Sequence, residues 1–274
     1  MRLETVTYHR CVLYWLVFDP QVVIQPDDSD GYDTYIHNHS NYYPNESNYN
    51  YGAHTLLSIL RSNFAAYHRE RTLLKFDDLS SIPSGSAILE ANLELFCNYV
   101  NSSSNQYPAE IDVHKMLLGN QGVIRYEGNQ VGTPGLASWN SPNDIGVWGT
   151  PGGQAGVDYE TAVTSAFTIT GNAILNNWLA WDVTELVEDW VANPTGNYGV
   201  MLKLKDDHLS VYKYFRFDSS ESSNVDLRPK LTVTYDTDSH YRVLYPRCCR
   251  AGDCNLRKAM KRFCLHAASR KVHS

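Results

Sequence analysis

Apolar and polar residues alternate with a period of two along much of this chain, and the alternation is strictest over residues 87–95. There Ala87, Leu89, Ala91, Leu93 and Leu95 share one parity and Glu90, Asn92 and Glu94 the other, which predicts a strand with one wet face. The stretch 178–204 shows the same period twice with an interruption. Leu179, Trp181 and Val183 point one way, and then Leu186, Val187, Trp190 and Val191 fall on one face of a short helix. Asp182 or Thr184 is placed to cap that helix, with Glu185 completing a capping box, and Pro194 and Gly196 end it. Alternation then resumes with Val200, Leu202 and Leu204 inward and Met201, Lys203 and Lys205 outward. Further strands are expected over 33–36, 73–76, 110–116, 162–169, 211–217 and 230–235. Trp178, Trp181 and Trp190 are assigned to the core. Strands wet on one face suit an antiparallel arrangement, so the expected fold is all-β: an antiparallel two-sheet β-sandwich with one short helix.

The two ends read differently from the middle. Residues 11–24 form an apolar run broken by Pro20, too short to span a bilayer. Arg2 and Arg10 before it resemble the basic start of a signal peptide, yet Glu4 and Asp19-Pro20 do not fit one, so a leader and a structured strand both stay open. After Asp236 the composition changes. Residues 236–274 carry nine Lys and Arg against three Asp and Glu, whereas the rest carries 14 against 27. This gives three segments: 1–26, an apolar edge strand or a strand donated to a neighbour; 27–235, the sandwich; and 236–274, a basic tail. The tail holds Cys248, Cys249, Cys254 and Cys264 at a spacing that matches no standard zinc pattern, and 255–269 has the pattern of a basic amphipathic helix.

Charge narrows the partners. The acidic body repels nucleic acid and acidic polysaccharides at long range, leaving neutral glycans or other copies of the chain. With 19 Tyr and few charged residues, the composition suits a β-rich extracellular or cell-surface protein. Asn38, Asn45 and Asn101 stand in glycosylation sequons, which matter only if the chain is exported through a glycosylating pathway.

Candidate chemistry is sparse. His37 and His39 are two apart, on one face if they lie on a strand, but no third ligand is evident from spacing, and polar loop histidines are the plainer reading. Asp28, Asp30 and Asp33, near Gly31, have the oxygen-rich character of a structural calcium site, without EF-hand spacing; the other reading is a solvated acidic turn. No nucleophile-elbow motif occurs. The Gly/Pro/Trp segment 132–158 is the longest expected loop. Trp139 and Trp148, beside Asn140 and Asp144, suit the recognition of a sugar, whose C–H face stacks on an aromatic ring while Asn and Asp bind its hydroxyls. Trp139 also suits a core plug, and both readings stay open.

Three segments carry a family resemblance: LLKFDDLSSIPSGSAILEANLELF (73–96), WLAWDVTELVEDWVANPTGNYGVMLKL (178–204) and FRFDSSESSNVDLRPKLTVTY (215–235). With Asp33, Tyr35, Asn50-Tyr51-Gly52 and Trp139-Asn140 in the expected order, residues 27–235 resemble the DNRLRE domain family, also described as family 96 carbohydrate-binding modules. The resemblance implies a secreted sandwich of jelly-roll type that is not an enzyme and that binds polysaccharides in some members. Two functions follow as expectations. One is a carbohydrate-binding or adhesive module; the other is a subunit of a filament, surface layer or virion fibre that self-associates by donating its N-terminal strand.

Overall fold

The computed structural model describes residues 2–8, 11–17, 19–26, 32–38, 46–62, 68–101, 108–117, 133–134, 136–143, 145–206, 212–236 and 242–247. In chain order its strands begin with β1 (Arg2–Tyr8), β2 (Cys11–Val17), β3 (Gln21–Ile24), β4 (Tyr32–Asn38), β5 (Tyr49–Asn50) and β6 (Leu56–Arg61). Next come β7 (Arg69–Lys75), β8 (Ala87–Val100), β9 (Ala109–Lys115), β10 (Thr133–Pro134) and β11 (Ser165–Ile169). The last are β12 (Asn177–Asp182), β13 (Val200–Leu204), β14 (Lys213–Asp218), β15 (Lys230–Asp236) and β16 (Arg242–Arg247), with one α-helix, α1 (Thr184–Ala192), between β12 and β13.

The chain divides into two compact units. The smaller takes in residues 1–19 and 238–274, and its described part is a three-stranded antiparallel sheet in the order β1-β2-β16. The apolar run of Cys11–Val17 is the middle strand, paired in register with β1 on one edge and β16 on the other. Residues 21–24 instead belong to the larger unit, where β3 is the edge strand beside β15.

The larger unit, residues 20–237, is all-β and antiparallel. Eleven strands form one continuous curled sheet in the order β11-β9-β13-β7-β6-β14-β8-β15-β3, with β12 on the free edge of β8 and β4 on that of β7. Hydrogen bonding does not divide it into two sheets, but it narrows at one place: β6 and β7 share only Leu60↔Glu70 and Arg61↔Arg69 before they part. The sheet curls there, so that Leu74, Ile111, Val113 and Leu202 from one part share a core with Leu93, Leu95, Phe215, Phe217 and Val233 from the other. Trp181 joins the two, its indole nitrogen donating to Ile111 O at 3.1 Å. Helix α1 lays Leu186, Val187 and Trp190 onto this core.

Several sequence expectations need correction. Leu89 does not face inward; it is 39% exposed, and Ile88 is buried in its place. The pairing with β15 skips a residue there, Thr234 facing Glu90 and Tyr235 facing Ile88, and this β-bulge reverses the parity of everything before it. Cys97, which strand alternation leaves either on the outward side or at a strand end, lies inside β8, wholly buried and a free thiol. Its burial pushes the thiol up to about 12, so it is held protonated. Trp178 is half-buried on the wet side of β12, with Lys230 Nζ 3.9 Å from its ring centre. No capping box forms: Val183 is at the N-cap, and Asp182 accepts from the Thr184 amide instead.

Met201 and Lys203 are buried as well as Val200, Leu202 and Leu204. For Met201 the reason is a second, smaller core on the other face of β13 and β7. Ile36, Leu73, Met116 and Met201 pack there beneath Ala137, Trp139, Trp148 and Tyr159. The glycine-rich segment thus lies over the sheet as a cover rather than standing out as a loop.

Candidate functional site

The covering segment decides the fate of the tryptophan site. Trp139 and Trp148 are each 4% exposed. Trp148 donates to Ser138 O at 2.8 Å, and Trp139 carries the Arg71 guanidinium 5.2 Å from its ring centre. Arg71 is fixed in turn by Gly152 O at 2.6 Å. Neither ring offers an open face to a sugar, because both serve the second core. Asn140 is half-buried and donates to Asn48 Oδ1 at 2.9 Å, and Asp144 lies outside the described residues.

Of the calcium candidates, Asp33 is buried on β4 and accepts from the Ser220 amide at 2.9 Å, while Asp28 and Asp30 lie outside the described residues. Among the sequons, Asn38 ends β4 and Asn101 follows β8, both half-buried, and Asn45 lies outside the described residues.

The structure gathers a different set of side chains, at the narrow junction of β6 and β7. His37 on β4 stands directly opposite Glu70 on β7 in the strand register. Its Nδ1 is 3.1 Å from Glu70 Oε1, and His68 Nε2 is 3.0 Å from the same oxygen. The two imidazole nitrogens are 3.4 Å apart. Glu70 Oε2 accepts from the Ser58 hydroxyl of β6, and Glu46 Oε2 stands 3.2 Å from His37 Nε2. Burial alone would push the Glu70 carboxyl up, but the hydrogen bonds and charge of the two imidazoles outweigh it and hold the group at about 2. Glu70 is therefore ionised. The sequence pattern pairs His37 with His39, which lies outside the described residues, whereas the signal for this set is His68-x-Glu70, two residues of one strand parity.

Tyrosines and an arginine continue from this cluster. Tyr35 stacks on Tyr51 with ring centres 4.4 Å apart, and burial followed by the Glu70 charge raises its phenol. On β14 and β8 the residues that alternate with the buried Phe215 and Phe217 point away from the core. Arg216 faces Ser58 on one side and Tyr99 on the other. Its guanidinium lies 4.8 Å from the Tyr214 ring centre and 5.5 Å from that of Tyr99, and it donates to the Tyr214 hydroxyl. Tyr99 is 39% exposed. Burial, and then Arg216, lowers His54. This patch combines ring faces, donors and ionised acceptors, which is the chemistry of polar-ligand recognition.

A separate cleft of about 820 Å³ lies between α1 and the β9–β11 region. Its Lys115 is held by Asp189 at 2.6 Å and Glu160 at 3.9 Å, and none of the histidine-cluster residues lines it.

Residues 43–233, well over half of the 274, match the family described as the disaggregatase related repeat domain. The chain belongs to this family. The match covers β5 to most of β15, so the disaggregatase related repeat accounts for nearly all of the curled sheet and includes His68, Glu70 and Arg216. It is a different family from the DNRLRE domains that the sequence resembles. It also overturns the expectation of a chain that is not an enzyme, since the family is described by its relation to a disaggregatase. No curated protein matches the chain. Among the described residues no helix is long and apolar enough to cross a membrane.

Proposed function

We propose that this disaggregatase related repeat binds an extracellular or cell-surface glycan, neutral rather than anionic, and that it does so as part of taking glycan-held aggregates apart. The observation that supports the reading most is the Tyr99–Arg216–Tyr214 arrangement on the solvent side of β8 and β14. A half-exposed ring presents an apolar face for the C–H side of a sugar, and the guanidinium beside it offers donors to the hydroxyls. The acidic body disfavours an anionic polymer, and the family's description supplies the link to aggregates. His37, Glu46 and Glu70 stand beside Tyr35 at the edge of the same patch and bring acid–base groups to it.

The test is a polysaccharide binding screen with wild type and two variants, Tyr99→Ala and Arg216→Ala. Each variant is expected to lose about tenfold in affinity or more, at little cost in melting temperature, because neither side chain belongs to the core. A screen with no binding polysaccharide, or variants that bind as wild type does, overturns the reading.

A further inference from the structure

We propose that His37, His68 and Glu70 form a site for a single transition-metal ion of the zinc type. The inference does not depend on the glycan reading. Three donor atoms converge: His37 Nδ1, His68 Nε2 and Glu70 Oε1, with separations of 3.1, 3.0 and 3.4 Å. A tetrahedral zinc ion with bonds of about 2.0–2.1 Å to imidazole and carboxylate needs donors about 3.3–3.4 Å apart. The triangle is within a few tenths of an ångström of that edge length, so an ion seats with little movement.

The donors come from a rigid frame. His37 and Glu70 are paired residues of β4 and β7, and His68 lies just before β7, on the parity of Glu70. Supporting contacts fall where a metal site needs them. A ligating histidine usually passes its other ring N–H to a carboxylate, which fixes the ring and strengthens the donor. Glu46 Oε2, 3.2 Å from His37 Nε2, is in that position. The second oxygen of Glu70 accepts from Ser58, which leaves Oε1 turned towards the two imidazoles. His37 and Glu70 are buried and His68 is half-buried, so the trio is shielded but can be reached. Two imidazoles and one carboxylate favour zinc and its first-row neighbours over calcium or magnesium, which prefer all-oxygen shells. Three protein donors also leave one position of the tetrahedron for an exogenous ligand.

The experiment is titration of chelator-treated full chain with Zn²⁺ by calorimetry, together with X-ray absorption of the zinc-loaded protein. One ion per chain is expected, with nitrogen and oxygen neighbours near 2.0–2.1 Å and no sulfur, which separates this site from the tail cysteines. His68→Ala is expected to weaken that ion at least a hundredfold, and Glu46→Gln tenfold to a hundredfold. The absorption spectrum of the wild type decides the matter even where a variant folds poorly. The absence of a saturable ion at micromolar zinc, a sulfur shell, or undiminished binding by folded His68→Ala overturns the proposal.

Discussion

Gly152 lies against the edge of the Trp139 ring so closely that a Cβ built on it would stand 2.5 Å from Cζ2. Its φ is +90°, in the region that favours glycine, and its amide donates to Trp139 O. Gly152→Ala therefore meets two penalties, backbone strain and a displaced indole. We expect a loss of about 2–4 kcal/mol in urea unfolding. A loss below about 1 kcal/mol means that the covering segment shifts freely and is not seated by this contact.

Asp112 gives the fold a pH dependence. It is buried on β9 opposite Lys203 of β13, and loss of hydration pushes its carboxyl up to about 6, with Lys203 and Lys205 opposing the rise and Glu110 adding to it. A carboxyl with a folded value above its unfolded value binds its proton more tightly when folded. Its contribution is fully present below about pH 4 and is lost as the pH rises through 6. Asp112→Asn should therefore gain on wild type by about 2–3 kcal/mol between pH 4 and pH 7, and no more above it. Parallel stability profiles for the two proteins would contradict this.

Trp190 is buried with Leu186 and Val187 where α1 meets the main core. Trp190→Ala removes its largest side chain and leaves a cavity, and we expect a loss of about 3–5 kcal/mol by chemical denaturation. A change under about 1 kcal/mol would show that the helix does not seal this end of the core.

The parts of the fold visible in the sequence are those governed by local period. The alternation around Leu93 and Leu202 and the change to helical spacing at Leu186 each report a face within one element, and the structure has all three residues buried. The bulge at Leu89 was invisible, because one extra residue in a strand leaves no mark on composition; only its pairing with β15 reveals it. Burial of Met201 was hidden for another reason. It depends on Trp139, Trp148 and Tyr159, some forty to sixty residues earlier, folding over a face that local alternation marks as wet. The same distance in sequence concealed the histidine cluster. His37 is visible as a candidate, but Glu70 and His68 sit more than thirty residues away and are brought to it by the β4–β7 register.

The pairing of β3 with β15 has a consequence for how the chain closes. β2 and β16 match Val17 with Arg242, more than two hundred residues apart, and joining the ends of a free loop that long costs about 5 kcal/mol in chain entropy. The larger unit removes most of that cost in advance, because its own ends meet: Tyr235 N donates to Pro20 O at 3.0 Å, and Gln21 faces Thr234. With those ends held together, the segments flanking the unit start from neighbouring points, and the effective loop between β2 and β16 is short. In loop entropy, β2 and β16 are thus equivalent to the arms of a hairpin, with the whole of residues 20–237 serving as its turn.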